Sequence, residues 1–106
     1  LYIGTADLTI GLNQGKLRPG FDRTEPEMIE AKKKILEIAH KHEKVACLHC
    51  GTPEYAAKAT NWGFDLVTIS NDVRLLSGAA AAHVKKFKEL TNQKIDISSE
   101  DDPSSY

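Results

Sequence analysis

Asp7 follows the apolar triplet Leu1-Tyr2-Ile3 and Gly4. A carboxylate just past the carboxyl end of a buried strand stands where parallel α/β proteins bind their ligands. Its hard oxygens suit a divalent cation such as Mg2+ or Mn2+. Backbone N–H groups freed from the sheet ladder after Gly4 suit a substrate carboxylate. The competing reading is a loop aspartate bonded to its own backbone in an Asx-type turn.

Cys47-Leu48-His49-Cys50 is the second constellation, a C-x-x-C pair with a histidine inside. At a helix N-terminus such a pair is a redox site, and in a ribbon it is half of a zinc site. On a strand neither works. Side chains alternate, so the two sulfurs point apart, and three residues separate the Cα atoms by ~10 Å. Disulfides need roughly 7 Å or less. No second C-x-x-C completes a zinc site, so two buried thiols are expected unless a turn brings Cys50 back. His49 falls near the carboxyl end of that strand, where packing or a contact at the rim is expected. His40 and His42 bracket a helix C-terminus, where a cationic imidazole complements the dipole. His83 lies among alanines with no evident partner.

The elements that must position these residues alternate along the chain. Leu1–Ile3 reads as a buried strand end, Gly4–Leu12 as a strand-to-loop exit rather than a helix, and Asn13–Arg23 as a connecting loop. A helix is expected from Thr24 as N-cap, with Pro26 in the first turn and Glu27 completing a capping box. Met28, Ala31, Ile35, Ile38 and Ala39 make its apolar face, with Lys32, Lys33 and Lys34 as a solvated surface. Val45–Cys50 is a second strand. Thr52 caps a helix opened by Pro53 and closed by Gly63. Phe64–Ser70 is a third strand, and Asp72 caps a last helix that runs to about Leu90 with Val73, Leu76, Ala80, Val84 and Phe87 on one stripe. Strands alternating with helices imply βαβ crossovers and a parallel sheet. Three such units make a small open sheet or roughly three-eighths of a barrel of ~250 residues.

Bulk properties narrow the function classes. The 106 residues suffice for one small domain, and 27% charged with 41% hydrophobic residues is an ordinary soluble globular balance. A net charge of −1 gives no basic field for nucleic acid or an acidic membrane. No apolar run approaches the ~20 residues of a membrane span, and no secretory signal opens the chain. Two cysteines are too few for a secreted disulfide scaffold, which favours a cytoplasmic location. The opening inside a strand, without Met, suggests a piece of a longer protein.

Gly4-Thr5-Ala6-Asp7-Leu8-Thr9 resembles the Gly-Pro-x-Asp-Leu-Ser segment of the HpcH/HpaI family of class II aldolases. The likeness continues at Glu25-Pro26-Glu27, at Gly63-Phe64 and at Ser70-Asn71-Asp72-Val73-Arg74-Leu75-Leu76, and covers about residues 1–90. Thr5 replaces the usual proline and Thr9 the usual serine.

The resemblance implies the sixth to eighth βα units of a TIM (βα)8 barrel in residues 1–90. By composition, the Ser-, Asp- and Glu-rich residues 91–106 are expected to be a polar, flexible tail. The resemblance also implies that Asp7 is one of two protein ligands to Mg2+, Mn2+ or Co2+, and that the amides of Ala6 and Asp7 hold a pyruvate-type keto acid. The partner substrate is an aldehyde. Separately from the resemblance, a cut barrel leaves bare edges on the Leu1–Ile3 and Phe64–Ser70 strands, so a homo-oligomer is expected. The family's other metal ligand, a glutamate, and its catalytic His and Arg come from earlier strands, so these residues alone should be inactive. No Schiff-base lysine is required, and no lysine lies within an expected strand. A citrate-lyase or malyl-CoA-lyase type of enzyme would share the barrel and metal logic. A non-catalytic α/β binding module is the remaining alternative.

Overall fold

The structure, a computed structural model, describes residues 1–92; the expected tail beyond Asn92 lies outside the described residues. The elements are β1 (Tyr2–Ile3), α1 (Thr5–Asn13), α2 (Pro26–Lys41), β2 (Cys47–Leu48), α3 (Pro53–Trp62), β3 (Leu66–Val67) and α4 (Asp72–Leu90). The three strands form one parallel sheet in the order β1-β2-β3. Tyr2 is in register with Cys47 and Leu66, and Ile3 with Leu48 and Val67.

The ladders are shorter than the apolar runs that carry them, which corrects Val45–Cys50 and Phe64–Ser70 as full strands. Val45 is exposed before β2 starts. After Leu48, the Cys50 N–H turns to the Thr68 hydroxyl at 3.0 Å instead of a backbone carbonyl. That substitution ends the β2–β3 ladder.

The segment after Gly4 is a helix, not a loop. Its three β-branched residues (Thr5, Thr9, Ile10) and Gly11 disguise it, but Thr9 donates its hydroxyl to the Thr5 carbonyl at 2.8 Å inside the helix. Such back-bonding lets a threonine be buried without an orphan hydroxyl. Gln14 closes α1 in the left-handed region with φ 50°.

Helix α2 starts one residue later than expected. Glu25 is the N-cap and gives no side-chain cap, because its carboxylate is turned toward the Arg23 guanidinium. The buried stripe is Met28, Lys32, Leu36 and Ala39, while Ile38 is 46% exposed. Lys32 is therefore a core residue and not part of the solvated surface that Lys33 and Lys34 make. Helix α3 is as expected: Thr52 Oγ accepts from the Tyr55 N–H at 3.3 Å, and Gly63 takes φ 111° at the C-cap. A side chain there would be strained.

The core joins Ile3, Leu48 and Cys50 from the sheet region to Leu36, Ala39, Tyr55, Ala56, Ala59 and Phe64. Within it the Lys32 ammonium donates to the Tyr55 hydroxyl at 2.8 Å, which donates in turn to the Arg23 carbonyl at 2.6 Å. The ammonium also stands 4.7 Å from the Tyr55 ring centroid.

Among the described residues, 71–92 belong to a second compact unit. Asn71, not Asp72, is the N-cap, its side chain accepting from the Arg74 N–H at 2.9 Å. Helix α4 buries none of its residues, and Val73, Leu76, Val84 and Phe87 are exposed. No helix among the described residues is long and apolar enough to cross a membrane.

Burial pushes Lys32 down to about 8, the Cys50 thiol up to about 11 and the Tyr55 hydroxyl up to about 12. Below pH 8 the cost of a buried ammonium is fully present. From pH 8 the unfolded chain holds more protons than the folded one, so stability rises with pH, by at most about 1.4 kcal/mol per unit. From pH 9, the ordinary value for Cys50, the folded chain holds the extra proton and the gain is cancelled. Above pH 10, Tyr55 adds to the loss. Urea midpoints should therefore rise from pH 8 to 9, level off, and fall above 10. Lys32→Met should remove the rise and leave the fall.

Candidate functional site

Alternation gives the sheet two different faces. Ile3, Leu48 and Cys50 point into the core, whereas Tyr2 and Leu66 are exposed at 56% and 51%. Cys47, His49 and Thr68 share that second face by register and alternation. Both cysteines are free. Cys50 is buried, but Cys47 is only half-buried, which corrects one of the two expected buried thiols.

His49 is the hub of the second face. Its Nδ1 lies 2.6 Å from the Tyr2 hydroxyl and 3.2 Å from the Thr68 hydroxyl. Its ring is flanked edge-on by Phe21 at 4.7 Å and Tyr2 at 6.1 Å between centroids. One strand, its neighbour on each side and a loop thus converge on one imidazole at the carboxyl ends of the strands. The expected contact at the rim is present, and is larger than a packing role requires.

Asp7 stands beside this hub. The Thr5 hydroxyl donates to the His49 carbonyl at 2.7 Å, which ties the first turn of α1 to the end of β2. Thr5, Ala6 and Asp7 are the first three residues of α1, and the intrahelical bonds begin with the Leu8 N–H on the Gly4 carbonyl at 2.9 Å. Their N–H groups have no acceptor within the helix and carry the positive end of its dipole. The exposed Asp7 side chain folds back over Gly4, where an added Cβ would sit 2.8 Å from Oδ2. Gly4 leaves the space that this rotamer of Asp7 occupies.

The loop before α2 is held down by Asp22, which sequence reasoning missed among ordinary loop residues. Its Oδ1 accepts from the Gly51 N–H at 2.7 Å and its Oδ2 from the Thr52 hydroxyl at 2.6 Å. This clasp fixes the adjacent Phe21 over His49. Lys32 was legible in principle, since positions 28, 32 and 36 share a helix face.

Other candidates fall elsewhere. His40 Nε2 pairs with Asp65 Oδ2 at 2.8 Å, and the Ala46 N–H donates to the same oxygen at 2.8 Å. These two bonds hold the Asp65 carboxyl below the usual range, the backbone one most strongly. The pair sits at the amino ends of β2 and β3, away from Asp7. His42 is the C-cap residue of α2 and His83 is an exposed residue of α4. Among the described residues no three His, Cys, Asp or Glu side chains come together to hold a metal.

The arrangement is that of an α/β protein with a polar face and a helix N-terminus at the carboxyl ends of parallel strands, the usual place for a ligand. The chain is 34% identical over 90 residues to the hydroxypyruvate/pyruvate aldolase of Rhizorhabdus wittichii. The match takes in 85% of this chain and 35% of that enzyme, so the chain spans about a third of the length of its curated relative. It supports an aldolase-family relationship. No family model matches the chain.

Asp22→Ala removes two acceptors at once and leaves the buried Gly51 N–H unpaired. The expected cost is about 1–3 kcal/mol. It should be seen as a lower urea midpoint with an unchanged slope, together with faster hydrogen exchange at Gly51. An unchanged midpoint would mean that the loop is held by something else.

Proposed function

We propose that this chain supplies the sixth to eighth βα units of a (βα)8-barrel aldolase that depends on a divalent metal. The reaction is the reversible cleavage of a 4-hydroxy-2-oxo acid to pyruvate, or a pyruvate-type keto acid, and an aldehyde. The observation that carries this reading is the position of Asp7. In a chain related to an aldolase, an exposed carboxylate lies beside free helix N–H groups at the carboxyl end of a parallel strand.

The N–H groups of Thr5, Ala6 and Asp7 are complemented by the Asp7 carboxylate, as a helix first turn favours, but its charge sets up a repulsion against a substrate anion. A divalent cation on Asp7 resolves it, since the same end of α1 then attracts a keto-acid carboxylate on both counts. The donor atom fits: carboxylate oxygen suits Mg2+, Mn2+ or Co2+, which keep waters and take further oxygen ligands, and these ligands must outweigh the positive end of the α1 dipole. When bound, such a cation supplies Lewis acidity toward the oxygen on which negative charge develops.

The chain's own residues have definable tasks under this reading. Asp7 holds the cation, the Ala6 and Asp7 N–H groups orient the substrate carboxylate, and Gly4 keeps the Asp7 carboxylate folded toward them. The remaining ligands and the proton-transfer groups come from outside the described residues. By themselves, residues 1–92 should not turn over substrate.

In the full-length protein, Asp7→Ala should reduce metal-dependent retro-aldol activity by at least 100-fold, on the order expected for losing a key electrostatic group. Its thermal midpoint should stay close to wild type, because an exposed carboxylate packs against little. Gly4→Ala should weaken Mn2+ binding, followed by electron paramagnetic resonance, by displacing the Asp7 carboxylate. Full activity of Asp7→Ala at saturating Mn2+ would remove Asp7 from the mechanism.

A further inference from the structure

His49 is half-buried and held on every side but one. Phe21 and Tyr2 flank its ring, and two hydroxyls, Tyr2 and Thr68, converge on Nδ1. Nε2 has no hydrogen-bond partner among the described residues, although every buried side-chain polar atom there is satisfied. A histidine kept only for packing would not need its Nδ1 side fixed by two hydroxyls from neighbouring strands. Fixing one ring nitrogen is how proteins choose what the other one presents.

The hydroxyls also limit the tautomer. Thr68 Oγ already accepts from the Cys50 N–H at 3.0 Å, so its own proton is free to point at Nδ1 or at the Cys50 carbonyl. The Tyr2 hydroxyl has Nδ1 as its hydrogen-bond partner. A lone pair on Nδ1 can accept from both converging hydroxyls, whereas a proton on Nδ1 would serve one hydroxyl oxygen and leave the exposed Tyr2 hydroxyl to donate to solvent. Nε2 then keeps its hydrogen and faces outward as a neutral donor.

Resting on the aldolase reading above, we infer that His49 is a specificity-determining residue whose Nε2–H donates to a hydroxyl group of the substrate. A neutral, singly protonated imidazole suits an uncharged oxygen and gains little over water from a carboxylate, which the cation and the α1 N–H groups already serve. The Thr5 hydroxyl's bond to the His49 carbonyl joins the backbone of His49 to the first turn of α1, which carries Asp7. The substrate hydroxyl can belong to the aldehyde half or to a hydroxylated keto-acid half. The two sources are separable.

The test uses the full-length protein, with Mn2+ and two matched substrate pairs in which a methyl replaces a hydroxyl. Pyruvate is combined with glycolaldehyde or propanal; separately, one common aldehyde is combined with hydroxypyruvate or 2-oxobutyrate. Wild type should prefer the hydroxylated member of one pair in kcat/KM, and the pair that shows the preference identifies the source. His49→Phe should cut that preference by about tenfold or more, as expected when a donor matched to a substrate hydroxyl is lost. Tyr2→Phe, which frees the tautomer but keeps the ring, should reduce it less. Independently of any variant, nitrogen-15 spectra of wild type should show His49 protonated at Nε2 and not at Nδ1. A proton on Nδ1, or an active enzyme whose preferences ignore His49, overturns this inference alone. A wild type with no aldol activity overturns the aldolase reading and this inference with it.

Discussion

Each strand of the sheet contributes two ladder residues, and alternation sends one of each pair to either face. Because β1, β2 and β3 are parallel and in register, the assignment is collective. Ile3, Leu48 and Val67 go one way, and Tyr2, Cys47 and Leu66 the other. The first set closes against Leu36, Ala39, Tyr55, Ala56 and Ala59 of α2 and α3. The second set, extended by His49 and Thr68, makes the polar face that the functional reading uses. A slip of one residue in any strand would exchange the two faces.

Two polar anchors keep the chain in that arrangement. The Lys32–Tyr55–Arg23 relay runs through the core, and the Asp22 clasp lies at the rim. Both join the loop before α2 to the α3 region, one through a side chain and the other through the helix entry at Gly51 and Thr52. The relay is a costly way to do this, since an ammonium must be desolvated. A buried ammonium of this kind is weak evidence for net stability, because its desolvation offsets what its hydrogen bond gains. Beside Asp22 in the chain lies Phe21, whose ring stands 4.7 Å from that of His49.

Much of the order of elements was legible, because caps and periodicities are local. Thr52, Pro53 and Gly63 bound α3 as their chemistry requires. What was not legible depended on tertiary partners. The stretch from Thr5 to Asn13 reads as a loop until the Thr5 and Thr9 hydroxyls find carbonyls, and Lys32 reads as surface until Tyr55 meets it. The strand lengths were overestimated because a ladder ends where its partner's backbone does, as at Thr68, and hydrophobicity does not record that. Asp7 was placed past the end of the first strand, and its setting is a helix first turn. His49 was placed at the right end of its strand, while the convergence of Tyr2, Thr68 and Phe21 on it exists only in three dimensions.

The central claim is that a divalent cation belongs at Asp7, where it offsets the repulsion between that carboxylate and a substrate carboxylate at the N–H end of α1. Paramagnetic broadening by Mn2+ in the full-length protein, with pyruvate present, reads this location directly. The account predicts that amide signals of Ala6, Asp7 and Leu8 broaden first, followed by the imidazole of His49, while the His40–Asp65 pair is spared. Broadening centred on Glu27, Glu30 or Asp65, with the Ala6–Leu8 amides sharp, would contradict it.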